Sequence, residues 1–400
     1  MLMFTAEAGD WPQILGPQRD GIAVGERLLK TWPTSGPREV WQDDVGQGFA
    51  GVAVRNDVVY IFHRSGGSET VEARTATNGK IIWSEKFPCA YRGGYSSDTG
   101  PRCVPVVTDN HVYVFGIEGV LRCLNLADGR EVWSRHTAKE FSSPEGYFGK
   151  GSTPVLFDGK LIVNVGGRSN AAIVAFSADD GTTIWQTFSD AASYSSPVVA
   201  DVNGTRHALV VTRYHTVSLN PNSGEIRFRF PFGKRGPTVN GASPVVVGDH
   251  LFVTSSYSVG SVWAKMSADD AETTVSGEEF LASQYATPVR QGDILFAVDG
   301  RQDIGSASIK CIDPSQQKIL WQKNGFNYGT LIRVNEELLL LTCTGELIRF
   351  DADPSKYHES HRSQVLNSTP RGYRLPAVSN GRLFVRDDGV VKCLQVGESS

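Results

Sequence analysis

The sequence predicts an all-β protein, a single eight-bladed β-propeller of four-stranded antiparallel blades, and three observations lead there. A strand–turn–strand unit ending in Trp recurs as ETVEARTATNGKIIW (69–83), GVLRCLNLADGREVW (119–133) and AAIVAFSADDGTTIW (171–185), with the turn Gly four residues before each Trp. Alternating apolar residues around Asn-Gly or Asp-Gly make a hairpin, and its recurrence at roughly 40–50 residues is the spacing of propeller blades. Eight short apolar strands, each followed by a turn of Asn, Asp, Gly or Glu, open the repeats at 49–54, 102–107, 151–156, 194–199, 241–246, 285–290, 328–333 and 373–378. Finally, a lone Trp-bearing strand REVWQDDV (38–45) precedes the first repeat, while the eighth repeat stops after three strands at 390–396. Adding that strand to the last blade closes the ring and removes its free edges.

The domain organisation follows: an N-terminal extension over 1–37, rich in Pro and Gly through WPQILGPQRDG (11–21), then one propeller over 38–397. Ala6-Glu7-Ala8 has the small-x-small form of a signal-peptide cleavage site. It favours a periplasmic or secreted protein, the alternative being a cytoplasmic one that starts as written. Along the repeats the closing Trp stands at 41, 83, 133, 185 and 321. Phe228 replaces it in the fourth repeat, and the fifth and seventh hairpins (261–280 and 346–366) have lost it.

The 400 residues carry a net charge of −4 with 20% charged residues, which points to neither a nucleic-acid nor a membrane-surface partner. No apolar run reaches the 18 or so residues of a membrane span. Of six cysteines, Cys123, Cys311 and Cys393 share one repeat position with Ala73, Ala175, Ser218 and Ala264, so the slot takes a small buried side chain. Cys343 reads as core. Cys89 and Cys103 flank one loop and are the pair placed to form a disulfide; two free thiols are the alternative.

GKIIW, GREVW and GTTIW, each closing a repeat that opens on a Thr-Pro-Val- or Ser-Pro-Val-like strand, resemble the quinoprotein-type (PQQ-like) propeller repeat. With the opening WPQILGPQRDG, the chain is similar from Trp11 to Val396 to bacterial BamB-like repeat proteins. The resemblance implies an exported protein-binding scaffold. The enzyme branch of that superfamily implies PQQ with Ca²⁺ held by Glu, Asn and Asp against a vicinal Cys-Cys disulfide, and the chain has no adjacent cysteines. No catalytic or metal residue transfers, and no cofactor is expected. A PQQ-dependent or other redox dehydrogenase is the runner-up, and a carbohydrate- or polymer-acting enzyme a third reading.

Candidate binding residues lie where the blades begin. Loops leading into the first strands gather on one face of a propeller, around the channel mouth. Tyr194, Tyr285, Tyr328 and Tyr373 stand at four blade starts and Arg102 at another. Such a ring suits a protein side chain or a small polar or carbohydrate ligand; alternatively the tyrosines only fill the funnel. The two longest lead-in loops add Tyr91, Arg92, Tyr95 and Asp98 (89–102), and Glu145, Tyr147 and Lys150 (136–150). Long loops on a rigid scaffold are where function concentrates, and two Arg favour an anionic group; the bland alternative is a solvated loop of local ion pairs. His358 and His361 lack further metal ligands, and Lys234-Arg235-Gly236 reads as a solvated basic turn.

Overall fold

The computed structural model of the protein describes residues 9–236, 238–367 and 374–398, so Ala6-Glu7-Ala8 and Tyr373 lie outside the described residues. Its strands form eight four-stranded antiparallel sheets. Seven blades are continuous in sequence, at 52–88, 106–136, 155–187, 198–231, 245–276, 289–326 and 329–364. The eighth is made of 377–395 and the N-terminal strand Arg38–Asp44, which pairs with Val390–Gln395.

In the repeat's third and fourth strands, the small residue lies directly opposite the indole: Ala73 against Trp83, Cys123 against Trp133, Ala175 against Trp185, Cys311 against Trp321 and Cys393 against Trp41. The small side chain leaves the indole free to reach the next blade. Trp41, Trp83, Trp133, Trp185 and Trp321 donate Nε1–H to the carbonyls of Ala76, Leu126, Ala178, Pro221 and Asp353 at 2.8–3.2 Å. The turn glycines are required by these contacts. A Cβ on Gly129, which sits at φ +74°, would lie 2.4 Å from the Trp83 ring. Where the preceding blade lacks Trp, the demand vanishes: Gln317 occupies the same turn position in blade 6, at φ +52°, because blade 5 carries Thr273 in the Trp register.

Residues 9–37 are part of the ring. Trp11 pairs with Val54 of blade 1, the Pro12 carbonyl accepts from Val107 of blade 2, and the Arg19 guanidinium donates to the carbonyls of Thr153 and Pro154 ahead of blade 3. The chain then crosses to Arg333 of blade 7. It thus touches blades on both sides of the ring, on the face opposite the lead-in loops. Burial holds the Arg19 pKa down to about 9. The Glu26 carboxylate accepts from the Asn380 and Gly381 amides. Trp32 donates Nε1–H to the Val396 carbonyl at 3.0 Å, three residues past Cys393, the position every other clasp uses relative to its small residue except at blade 7. Trp32 thus supplies the clasp that His361, standing in blade 7's Trp register, does not; it packs edge-on to His361 and over Arg349.

Six of the eight seams are clasped by an indole. Both seams of blade 5 are not, since Phe228 and Thr273 stand in the Trp register on either side.

The expected Cys89–Cys103 bridge is absent: all six cysteines are free and buried. Cys103 packs between blades 2 and 3 and its sulfur accepts from the Phe115 amide, whereas Cys89 sits in a separate cluster with Tyr91 and Ile117. Each thiol is committed to its own packing environment.

Candidate functional site

Loops 89–102, 137–151 and 232–240 meet on the face opposite the N-terminal segment. Arg64, from the second strand of blade 1, gathers the first loop by donating to the carbonyls of Cys89, Tyr91 and Thr99. Asp98 then anchors the loop to the ring closure. Its Oδ2 accepts from the Gly48 amide at 3.1 Å and pairs with Arg374 at 3.2 Å, and Oδ1 accepts from the Gly100 amide. Arg102 and Arg374 lie on the Phe49 ring, at 5.0 and 5.1 Å.

Above this base the loops build an aromatic cluster. Tyr95 meets Tyr147 edge-on at 5.0 Å and Phe148 at 6.2 Å, and Phe148 meets Tyr194 at 5.8 Å. The Phe148 amide donates to the Tyr194 hydroxyl at 2.8 Å, and burial raises the Tyr194 pKa to about 12, so the phenol stays protonated and able to donate outward. Tyr147 donates its hydroxyl to the Gly236 carbonyl, which Arg213 also reaches at 2.6 Å. That shared carbonyl brings Lys234 and Arg235 beside the cluster. Gly151 leaves room for it: a Cβ there would lie 2.7 Å from Tyr194 and 3.3 Å from Arg102.

The expected site residues divide by burial. Arg92, Tyr95 and Glu145 are exposed, Tyr95 by 67%. Arg102, Tyr147, Tyr194 and Tyr285 are half-buried. Tyr91, Asp98, Lys150 and Tyr328 are buried. The Tyr328 hydroxyl bonds the amides of Tyr285 and Ala286 and the Ser283 hydroxyl, so it fastens blade 6 to blade 7. Lys150 donates to Ser143 and to the carbonyls of Pro144 and Val165; burial lowers its pKa to about 8. Asp98 is consumed by loop anchoring. The tyrosines therefore do not form one ring of ligand contacts: Tyr95, Tyr147 and Tyr194 cluster over blades 2–4, and Tyr285 with Tyr328 sits apart over blades 6 and 7.

Four contributors were not legible as such. Phe148 lies beside Tyr147 and could have been read from that doublet. Arg213 lies in the turn after the second strand of blade 4, Thr205–Val211, without any motif. Lys234 and Arg235, read as an isolated turn, join the cluster only through Gly236.

A groove of about 660 Å³ between blades 1 and 2, lined by Tyr60, Trp83, Arg55 and His111, lies well away from these loops. Its buried Arg55 is already paired with Asp109 and lies 4.0 Å from Asp10, and it supplies no concentrated chemistry. A cavity of about 50 Å³ beneath Tyr194, bordered by Lys150 and Asn164, has room for little beyond water.

Ca²⁺ takes six to eight oxygen ligands, largely carboxylates, and no three His, Cys, Asp or Glu residues converge among the described residues. Aromatic and cationic side chains occupy the loop face instead.

A family model described as outer membrane protein assembly factor BamB matches residues 32–205 and 67–323. BamB of Escherichia coli (strain K12) is 27% identical over 266 residues, covering 60% of this chain and 63% of that protein. BamB of Salmonella typhimurium is 37% identical over 101 residues, 24% of each. The chain's matches thus span less than two thirds of these curated relatives. Among solved structures, BamB from Moraxella catarrhalis superposes with a TM-score of 0.63 at 16% identity, covering 90% of this chain and 97% of that one. Quinohemoprotein alcohol dehydrogenase from Comamonas testosteroni superposes with a TM-score of 0.66 at 14% identity, covering 99% and 82%. At such identities these two likenesses establish the fold alone. No helix among the described residues is long and apolar enough to cross a membrane.

Proposed function

The chain belongs to the family described as outer membrane protein assembly factor BamB, and from that premise we propose that it is a non-enzymatic docking scaffold for outer-membrane protein assembly, working on the periplasmic side. The docking surface is the lead-in-loop face over blades 2–4. One observation carries the reading: Tyr95, 67% exposed, stands on Tyr147 and Phe148, an aromatic platform held by loops that are themselves tied to rigid blades. Large aromatic side chains left in solvent on a preorganised support are what protein interfaces use as anchors.

The test is biolayer interferometry of this protein against the outer-membrane assembly machinery purified from an Escherichia coli strain lacking its own BamB. Wild type binds, and Tyr95→Ser with Tyr147→Ser weakens binding at least ~10-fold while the melting temperature holds, the loss expected when an interface anchor is removed. Equal binding by the double variant would place docking on another face. In parallel, PQQ with Ca²⁺ should leave absorbance and melting temperature unchanged; dye reduction would revive the dehydrogenase reading.

A further inference from the structure

We propose that the patch over blades 2–4 receives an acidic peptide segment, carboxylate side chains flanking an aromatic or proline residue, from the docked partner; this rests on the docking reading above and names the chemistry it recognises. The chain as a whole is net −4, yet Arg92 and Arg102 lie on loop 89–102, Lys234 and Arg235 on loop 232–240, and Arg213 is bonded to Gly236, and among the described residues none of them pairs with a carboxylate. Elsewhere on the same ring arginines are matched in place, as Arg122 with Glu131, Arg135 with Glu140 and Arg362 with Glu359.

Arg213 adds an independent observation. It is 7% exposed, its Nη2 donates to Gly236, and its Nη1 has no partner. A buried donor without an acceptor is destabilising, and a carboxylate arriving beside Gly236 relieves it. Arg102 spends its two Nη groups on the Gly100 and Asp98 carbonyls, so its charge remains uncompensated. Tyr95, Tyr147 and Phe148 offer edges and faces to a ring or a proline between the acids.

The size of the charge argues for a few discrete carboxylates. Glu118 and Glu145 border the same loops, and the protein's overall negative charge opposes a long polyanion such as a nucleic acid.

Fluorescence anisotropy tests this with a labelled peptide of Glu and Asp around a central Tyr-Pro, the same peptide with Lys at every acidic position, and an oligothymidine of equal length. The acidic peptide should bind, and binding should weaken steeply with added salt because the contact is exposed charge on charge. Lys234→Ser with Arg235→Ser, both exposed positions, should weaken it about 5- to 10-fold with an unchanged melting curve, and Tyr95→Ser comparably. Equal binding of the Lys peptide, tighter binding of oligothymidine, or indifference to the Lys234/Arg235 change overturns the inference. If the assembly machinery binds but the acidic peptide does not compete, the chemistry is wrong and docking stands; if the peptide binds and the machinery does not, the docking role is wrong and the patch chemistry stands.

Discussion

Replacing Trp32 with Ala should destabilise the ring as much as removing one of the repeat's own clasping tryptophans. The loss has separable parts. The Nε1–H bond to Val396 contributes about 1 kcal/mol net, its carbonyl keeping a second bond from the Leu29 amide. The edge-on contact with His361 at 5.3 Å adds ~0.5–1.5 kcal/mol. Arg349, 5.0 Å from the indole, adds ~0.5–1 kcal/mol. Removing the apolar body of a side chain only 8% exposed brings the total to about 3–5 kcal/mol. Arg349 is itself fixed by Glu337 and by the Leu29 carbonyl, so the site cannot easily collapse to refill the space. Urea unfolding of Trp32→Ala, Trp32→Phe and Trp321→Ala, followed by circular dichroism, gives the comparison. Trp32→Phe should keep most of the packing and lose about 1–2 kcal/mol. A Trp32→Ala loss under about 1 kcal/mol, or one far below that of Trp321→Ala, would refute the claim that the N-terminal segment supplies the missing clasp.

Glu69 is buried against the Ile117 amide, and burial lifts its pKa from 4.5 to about 7. The folded chain therefore holds a proton that the unfolded chain releases near 4.5, so stability falls as pH rises through that window and is level outside it. Glu69→Gln should flatten the fall, about 3 kcal/mol at about 1.36 kcal/mol per pH unit, in urea midpoints measured from pH 4.5 to 8; an unchanged slope would assign it to another group. Burial pushes Cys89, Cys103, Cys123, Cys311 and Cys393 up to about 12, so Ellman reagent at pH 8 should find no fast-reacting thiol in the native protein and six after denaturation; four would mean a bridge. Blade 5, clasped at neither seam, should exchange its amides fastest: hydrogen–deuterium exchange at Ala271–Ser276 should outpace that at Glu131–His136, and equal protection would show that the indoles do not set local stability.

The ring was legible because its instructions repeat. A turn Gly, a Trp and a small residue opposite it recur at fixed offsets, so blade number, closing strand and Cys123, Cys311 and Cys393 as packing residues could all be read from spacing. The N-terminal segment was not legible, because Trp32 performs a repeat's task from outside the repeat. The lead-in loops were half legible. Composition marked 89–102 and 136–150 as rich in chemistry, but it could not separate Tyr95, in solvent, from Tyr91, which packs with Cys89 and Ile117. Burial in a loop depends on which carbonyls and amides happen to come near, as Asp98 with Gly48 and Arg374 shows, and those partners are far away in sequence. Lys234 and Arg235 became part of a patch through one shared carbonyl, a relation that no local pattern records.

The strand Arg38–Asp44 also imposes an order of events. It is made before any blade and finds its partner, Val390–Gln395, only when nearly the whole chain exists; Trp32 waits equally long for Val396. Until then the nascent protein is an open arc with a bare strand at its start and an unfinished sheet growing away from it. Pairing contacts about 350 residues apart is slow, and an exposed strand edge is a template for wrong partners in the interval. Closing the ring thus waits on the meeting of Arg38–Asp44 with Val390–Gln395, and until the two have met that strand has to be kept from other partners.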